Sequence, residues 1–214
     1  VCELAFGDIK IGLTAQPLAA VTEPRGVQAA LRLAETGGRL DGAIAVIRLP
    51  YRRWSSLLDR AVREPLADAL ARGASGVVLV TTGPSGEALL LNAPADGPFS
   101  DRPIALLAPR HAAPVIEAAR HGTRASLTIT GDGGVRRADN IIGRVERAGR
   151  RWIVVSTPRS GWTDCAGERG PGIAVWLALA DWMPRIFTGH SLLFLCNSGH
   201  EYENLGASHV VESI

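Results

Sequence analysis

The sequence predicts an α/β protein, because short apolar runs of strand length alternate with segments of helical periodicity. Three continuous apolar runs, at 42–47, 76–80 and 103–107, are bounded by turn-forming residues, as expected of strands buried on both faces. A short helix at 112–121 and a closing strand at 126–130 follow them. Buried strands that alternate with helices favour a mainly parallel sheet with flanking helices.

One longer helix is predicted between the first two of these strands. Residues 57–72 carry apolar side chains at helical spacing, and Gly73 follows as a candidate C-terminal cap. Pro65 lies inside this segment, and a proline removes a main-chain donor and clashes with the preceding turn. We therefore expect a kink, or two short helices rather than one.

The chain is predicted to contain two domains, residues 1–134 and residues 135–214. Residues 131–139 concentrate glycines and charged residues between two apolar regions, which is typical of a boundary or a long hairpin. The second domain is predicted to contain a strand, an apolar helix and another strand, at 152–155, 173–183 and 191–196.

The composition excludes several classes of protein. The 214 residues are 46% hydrophobic, which is enough for one large core or two modest ones. A net charge of +2 indicates neither a nucleic-acid-binding surface nor a polybasic membrane patch. No apolar run approaches the roughly 18 residues that a membrane span needs. Cys2, Cys165 and Cys196 are too few and too scattered for a disulfide framework or a cysteine-type zinc site, and Cys196 is predicted to be buried and inert.

The first domain carries short motifs in an order that is typical of a known family. A small-residue turn at 71–75 leads into a Gly-Val-Val strand at 76–80, and an isoleucine-containing strand follows at 103–107. This order resembles the protease-associated domain over residues 1–130. The resemblance implies a domain that has no catalytic residues and that shapes or covers the pocket of a neighbouring peptidase.

Four sequence blocks of the second domain resemble one metallopeptidase family. They are residues 140–143, residues 160–162, Gly172 before the helix, and residues 205–207. The family is that of the di-zinc aminopeptidases and glutamate carboxypeptidases, whose relatives include the metal-free transferrin receptor. The resemblance implies the N-terminal half of a zinc-exopeptidase-like, mainly parallel sheet with flanking helices. The domain is therefore predicted to be C-terminally truncated at Ile214.

The positions that bind zinc in this family carry other residues here. The first zinc-binding histidine of the family falls on Thr157, whose hydroxyl is a poor neutral ligand. The aspartate that orients this histidine falls on Arg159, whose guanidinium could instead occupy the vacated cation position and pair with the remaining carboxylates. The bridging aspartate falls on Glu168, which keeps a carboxylate on a longer side chain.

The block after the last strand places a histidine and an acid at the family's catalytic positions. The family's general base falls on His200, and the neighbouring zinc-binding glutamate falls on Glu201, which is retained. Histidine can act as a base, but without a metal-activated water it has little to deprotonate. Trp162, at a strand end, is a candidate pocket residue, with simple packing as the alternative. Trp176 and Trp182 are predicted to pack in the core or between helices.

A metal site in the last block is a further possibility. His200, Glu201 and Glu203 lie close together in the chain, and His209 follows, but the histidine spacing matches no zincin pattern. Solvated charges at a strand-to-helix turn are the alternative reading.

A hydroxyl nucleophile is also open, since polar residues cluster at the edge of any such sheet. A serine or threonine could approach His200, with a carboxylate to orient the ring, as in a catalytic triad. The candidate hydroxyls are those of Ser156, Thr157, Ser160 and Ser198, and the candidate acids are Asp164 and Glu201.

The sequence thus predicts a degenerate, metal-free homologue of zinc exopeptidases that binds a peptide, a protein or a small ligand. The alternative is a peptidase or amidase with altered chemistry, which uses His200 as base or a single metal on Glu168 and Glu201. No cofactor is expected, with zinc as the alternative. The missing C-terminal half or another subunit is a candidate partner, and the resemblance favours an exported or periplasmic protein.

Overall fold

The computed structural model describes residues 1–34, 38–51, 56–147 and 151–213, which form two compact units, Val1–Gly134 and Val135–Ile214. The first unit contains eight strands and two α-helices in its described residues. They are β1 (Cys2–Phe6), β2 (Ile9–Gly12), β3 (Thr14–Ala15), β4 (Val27–Leu33), β5 (Ile44–Arg48), α1 (Arg60–Ala71), β6 (Gly76–Val80), β7 (Ile104–Leu107), α2 (Ala112–Arg120) and β8 (Arg124–Ile129).

The strands of the first unit form one mixed sheet in the order β2-β1-β8-β4-β5-β6-β7-β3. The four strands from β4 to β7 pair in parallel, whereas β1, β2, β3 and β8 join by antiparallel pairing. The predicted α/β class is confirmed, but the sheet is mixed rather than mainly parallel. The strand predicted at 126–130 is found as β8, whereas β1, β2 and β4 were not predicted, because they alternate more buried and more exposed side chains and form no continuous apolar run.

Each face of the central strands packs against one helix. In β6, Val78 and Val80 belong to the core beneath α2, while Val77 and Leu79 belong to the core beneath α1. Strands with both faces covered need apolar residues at every position, which explains why the sequence pattern located them. The strands predicted at 76–80 and 103–107 are accordingly found within one residue of the expected bounds.

The kink predicted at Pro65 stays a prediction, whereas the alternative of two short helices is wrong, because α1 is one continuous helix. Asp59 caps its start by accepting a hydrogen bond from the main-chain nitrogen of Ala61 (3.1 Å). At the other end Gly73 adopts a φ of +86° and donates to the carbonyl of Leu70, as the sequence predicted. Burial of Val62, Leu66 and Ala69 against the sheet outweighs the donor that Pro65 removes.

The second unit contains a smaller sheet in the order β10-β11-β9. Strands β10 and β11 are parallel, and β9 is antiparallel to β11. Its described elements are β9 (Ile141–Val145), β10 (Trp152–Pro158), α3 (Ala166–Ile186), β11 (Ser191–Asn197) and α4 (Leu205–Glu212). Here too the sheet is mixed.

Helix α3 covers one face of this sheet and begins earlier than predicted. Its first turns contain Gly167, Gly170 and Pro171, which are weak helix formers, so only the apolar part after Gly172 was visible in the sequence. No helix among the described residues, α3 included, is long and apolar enough to cross a membrane.

The core of the second unit lies between α3 and β11. Trp176, Leu192, Phe194 and Cys196 are buried there, which confirms the predicted positions of Trp176 and of the Cys196 thiol. Burial raises the pKa of Cys196, so the thiol is less reactive than a free one. Trp182 is half exposed and contacts only the edge of Phe187 among described aromatic rings, so its predicted core position is wrong.

Candidate functional site

The candidate site lies at one edge of the sheet of the second unit, where β10 and β11 end and β9 begins. Because β10 and β11 are parallel, the segments that follow both strands meet there, as at the ligand-binding edge of open α/β sheets. The antiparallel β9 begins at the same edge, which brings in Asn140 immediately before it. The start of α3 completes the site with Glu168 and Arg169.

Glu201 is the centre of the site and is 4% exposed. Its Oε2 accepts a hydrogen bond from the hydroxyl of Ser160 (2.5 Å), and its Oε1 accepts one from Nη2 of Arg169 (3.0 Å). Burial alone raises the pKa of this carboxyl, but the hydrogen bonds from Ser160 and Arg169 outweigh it and hold the pKa below its usual range. Glu201 is therefore ionised at neutral pH, with both oxygens bonded.

Arg169 holds the site together. Its Nη1 lies 2.7 Å from Oε1 of Glu168, and its Nε donates to the main-chain oxygen of Ser160 (2.7 Å). One guanidinium thus bridges Glu168 and Glu201, the two acids that the sequence proposed as remaining metal ligands.

The bridging role predicted for Arg159 belongs to Arg169 instead. Arg159 is exposed, and its described side-chain hydrogen bond is to the main-chain oxygen of Asp139 (2.8 Å). Arg169 could not be singled out from the sequence, because it matches no family motif. The adjacent Glu168 and the position in the first turn of a helix are the only signals that could have drawn attention to it.

Thr157 lies against helix α3. A Cβ built on Gly172 would come within 2.9 Å of its Oγ1, so the glycine allows the helix to pass close to the strand. Among the described residues, the Thr157 hydroxyl makes one long hydrogen bond, to the carbonyl of Pro158 (3.4 Å). Its described hydrogen bonds do not include the charged groups at Glu201.

The ring of His200 is hydrogen-bonded to Asn204. Its Nδ1 pairs with Oδ1 of Asn204 (2.7 Å), while its main-chain nitrogen donates to the hydroxyl of Ser160 (3.2 Å). Glu203 and Asn204 both adopt left-handed backbone conformations, with φ of +52° and +63°, and so form the tight turn that makes this pairing possible.

The structure accordingly forms no triad among its described residues. The hydroxyl of Ser160 donates to a carboxylate rather than to the His200 ring, and the hydroxyl of Ser156 donates to Oδ1 of Asn197 (3.1 Å). A serine nucleophile needs a hydrogen bond to its base, so this arrangement does not prepare either hydroxyl for attack.

Trp162 packs against Tyr202, the residue that follows Glu201 in the chain. Its ring meets Tyr202 edge to face, with centroids 5.2 Å apart. Its indole Nε1 is buried and has no hydrogen-bond partner in the part of the chain that the structure describes. An unbonded buried N–H is costly, so an acceptor that reached this atom, on a water molecule or a ligand, would be stabilised by the hydrogen bond.

Asn140 joins the two ends of the loop that carries Glu201. Its Oδ1 accepts from the main-chain nitrogen of Ser198 (3.0 Å), and its Nδ2 donates to the carbonyl of Gly206 (2.9 Å). The Asn140 amide therefore positions the loop and need not touch a ligand.

Replacing Asn140 by Asp is expected to lower the free energy of unfolding by about 1–2 kcal/mol at neutral pH. The carboxylate keeps the acceptor for Ser198 but faces the Gly206 carbonyl without a proton to donate. Urea unfolding measures the change, with Asn92→Asp as control, since the Asn92 side chain makes no hydrogen bond within the described residues. Equal stability of both variants would contradict the assigned bridge.

These residues do not fit a zinc ion. A zinc site takes three or four nitrogen, sulfur or oxygen ligands. No group of three His, Cys, Asp or Glu side chains that could hold a metal occurs among the described residues. Glu168 and Glu201 are both paired with the guanidinium of Arg169. We assign neither of them as a metal ligand.

The fold of this chain is similar to that of the zinc aminopeptidases. The whole chain superposes on an aminopeptidase from Aneurinibacillus sp. strain AM-1 (TM-score 0.70, 18% identity, 53% of that chain). It also superposes on the zinc aminopeptidase BSAP from Bacillus subtilis (0.72, 21%, 51%) and on a peptidase M28 precursor from Shewanella amazonensis (0.72, 14%, 54%). The chain spans about half the length of these structures.

Comparison by sequence finds no relative of this chain. No protein-family model matches the chain, and a search of curated proteins returns no significant match. The structural superpositions, by contrast, confirm at the level of the fold the resemblance to zinc aminopeptidases that the sequence motifs predicted.

The same comparisons correct one expectation. We expected no cofactor, whereas a structure that shares the fold of this chain is that of a zinc aminopeptidase. The expectation is contradicted and we do not retain it. Zinc content therefore has to be measured in the purified protein, alongside any assay of activity.

Proposed function

We propose that this chain is a peptidase-related protein that acts by binding a peptide at the strand-end cluster, which we define as Ser160, Trp162, Arg169, His200 and Glu201. The observation that carries the proposal is the bonding of Glu201. A carboxylate that serves as a base or a metal ligand needs a free lone pair directed at its target. In this protein each oxygen of Glu201 already accepts a hydrogen bond, one from Ser160 and one from Arg169, and the Arg169 guanidinium supplies the positive charge that a metal ion would supply.

The same cluster supports the binding of a peptide. The buried indole N–H of Trp162 supplies an unused donor, and the Trp162 and Tyr202 rings supply an apolar wall. A peptide offers carbonyl acceptors and apolar side chains in alternation, which suits such a wall. For the first unit, the protease-associated-like role inferred from the sequence stays a prediction.

A second candidate function is a hydrolase of peptides or small amides with His200 as base. The fold shared with zinc aminopeptidases supports it, and the sequence motifs predict that His200 falls at the family's general-base position. This function requires the His200 ring to leave Asn204 when substrate binds.

The two functions are separated by one pair of measurements on the same zinc-assayed preparation. We expect the tripeptide Leu-Gly-Gly to shift the indole N–H resonance of Trp162, which the Trp162→Phe variant assigns among the five tryptophan signals. We expect hydrolysis of leucine p-nitroanilide, with or without added zinc, to match that of His200→Ala. If the wild type hydrolyses leucine p-nitroanilide and His200→Ala does not, the protein is a hydrolase and the binding proposal is wrong. If Leu-Gly-Gly leaves the Trp162 resonance unchanged, the cluster does not bind the peptide.

A further inference from the structure

The first unit contains an open cleft of 640 Å³ on the outer surface of strands β4 and β8. Residue 39 and residues 41–43, which precede β5, form its second wall. The residues that matter for its chemistry are Gln28, Ala30, Arg32, Arg39, Asp41 and Arg124.

The sheet places two arginines around a small residue. In the antiparallel pair of β4 and β8, Ala30 lies opposite Arg124, and Gln28 lies opposite Ser126. Gln28, Ala30 and Arg32 alternate along β4, so they share one face. The methyl group of Ala30 leaves an open floor between the side chains of Arg32 and Arg124.

Arg32 is held in place by the turn before β8. A Cβ built on Gly122 would lie 3.3 Å from Cζ of Arg32, so the guanidinium rests directly over the glycine backbone. Gly122 has a φ of +66°, which a larger residue adopts only at a cost. The turn thus limits where the Arg32 side chain can go.

The charges of the cleft are unbalanced. Asp41 is engaged by Arg39, whose Nη2 and Nε lie 2.8 and 3.2 Å from its Oδ2. Arg32 and Arg124 are exposed, and within residues 1–34, 38–51, 56–147 and 151–213 neither has an ion-pair partner. Two guanidinium groups therefore face the same open space without a counterion.

We propose that this cleft binds an anionic group, a carboxylate or a phosphate, between Arg32 and Arg124. Guanidinium donors lie in one plane and match the oxygens of both groups in pairs, which makes arginine the usual residue for such recognition. The Gln28 amide at the end of the floor donates to Arg25 and Ser126, which leaves its oxygen for a donor on the same ligand. The site is independent of the strand-end cluster and of the function proposed for it.

Titration of the intact chain with sodium phosphate and, separately, with sodium succinate tests the proposal and distinguishes the two anions. Arginine Nε–Hε resonances of Arg32 and Arg124 report binding at these side chains. Arg32→Gln and Arg124→Gln are each expected to weaken binding by about fivefold or more. Arg63→Gln is the matched control, because Arg63 is exposed in α1 and lies outside the cleft.

A second kind of variant removes a negative charge from the cleft and should strengthen anion binding. Asp41→Asn removes the acid that Arg39 engages, so anion binding is expected to tighten by about twofold to threefold. Binding that is equal in Arg32→Gln, Arg124→Gln and Arg63→Gln overturns the proposal, as does the absence of saturable binding of either anion. Weaker binding in Asp41→Asn would also overturn it. Circular dichroism confirms that each variant is folded.

Discussion

Replacing Arg169 by Met is expected to lower the free energy of unfolding by about 3 kcal/mol at neutral pH. The change leaves the buried carboxylate of Glu201 with the Ser160 hydroxyl as its remaining side-chain partner and removes the partner of Glu168. The methionine keeps most of the side-chain volume, so the loss arises from the unpaired charge. Denaturation by guanidinium chloride, followed by circular dichroism, measures it.

The same variant is expected to change how stability depends on pH. In the wild type the pKa of Glu201 is lowered, so its contribution is present above the usual carboxyl pKa and is lost as the pH falls through the lowered value. In Arg169→Met, burial is expected to raise this pKa, so the charged form disfavours the folded state. The difference in stability between the two proteins should therefore widen as the pH rises from about 4 to about 7.

A control on the same helix separates this effect from a general loss of charge. Arg185 pairs with Asp181 on the exposed side of α3. Arg185→Met is expected to cost less than about 1 kcal/mol, because exposed ion pairs contribute little. Two results would contradict the pairing of Arg169 with the buried Glu201 carboxylate. One is an equal loss of stability in both variants, and the other is a loss in Arg169→Met that does not depend on pH.

Gly206→Ala is expected to lower the free energy of unfolding by about 3 kcal/mol. A Cβ on this residue would lie 2.2 Å from the carbonyl oxygen of Ser198 and 2.6 Å from Oδ1 of Asn140. The first of these atoms belongs to the backbone, so the loop that carries Glu201 has to move. Thermal and urea unfolding measure the cost, and the Trp162 indole resonance reports whether the adjacent site is disturbed.

Gly167→Ala is the matched control, because Gly167 lies in the first turn of α3 as Gly206 does in α4. A Cβ on Gly167 meets nothing within 4 Å. Alanine in such a position is expected to raise the free energy of unfolding by about 0.5–1 kcal/mol. A Gly206→Ala protein as stable as Gly167→Ala would show that the loop does not approach α4 as closely as described.

Much of the fold could be predicted from the sequence because buried strands have a plain signature. Strands β5, β6, β7 and β11 have apolar side chains on both faces and appear as continuous runs. Strand β4 could not be found in this way, since its outer face carries Gln28 and Arg32. Pro65 misled the prediction of α1 because tertiary packing, which local propensity does not include, stabilises the helix.

The candidate site was only partly predictable. The sequence motifs located the loops at 157–162 and 198–206, since glycine and asparagine are required there by close approaches between chain segments. They did not indicate which side chains would pair. Arg169 directly follows Glu168 and Arg159 has no acidic neighbour, but this difference in local sequence does not predict which of the two arginines contacts Glu201.

The sequence by itself determined the α/β class, the buried strands of both sheets and the resemblance to zinc aminopeptidases, because these depend on residue patterns within short segments. The tertiary structure alone decided that Glu201 is bonded to Ser160 and Arg169, which are 41 and 32 residues away in the chain. It also decided that the His200 ring pairs with Asn204. The chemistry of a site depends on distances between side chains, and distances of a few ångströms between remote residues arise only when the chain has folded.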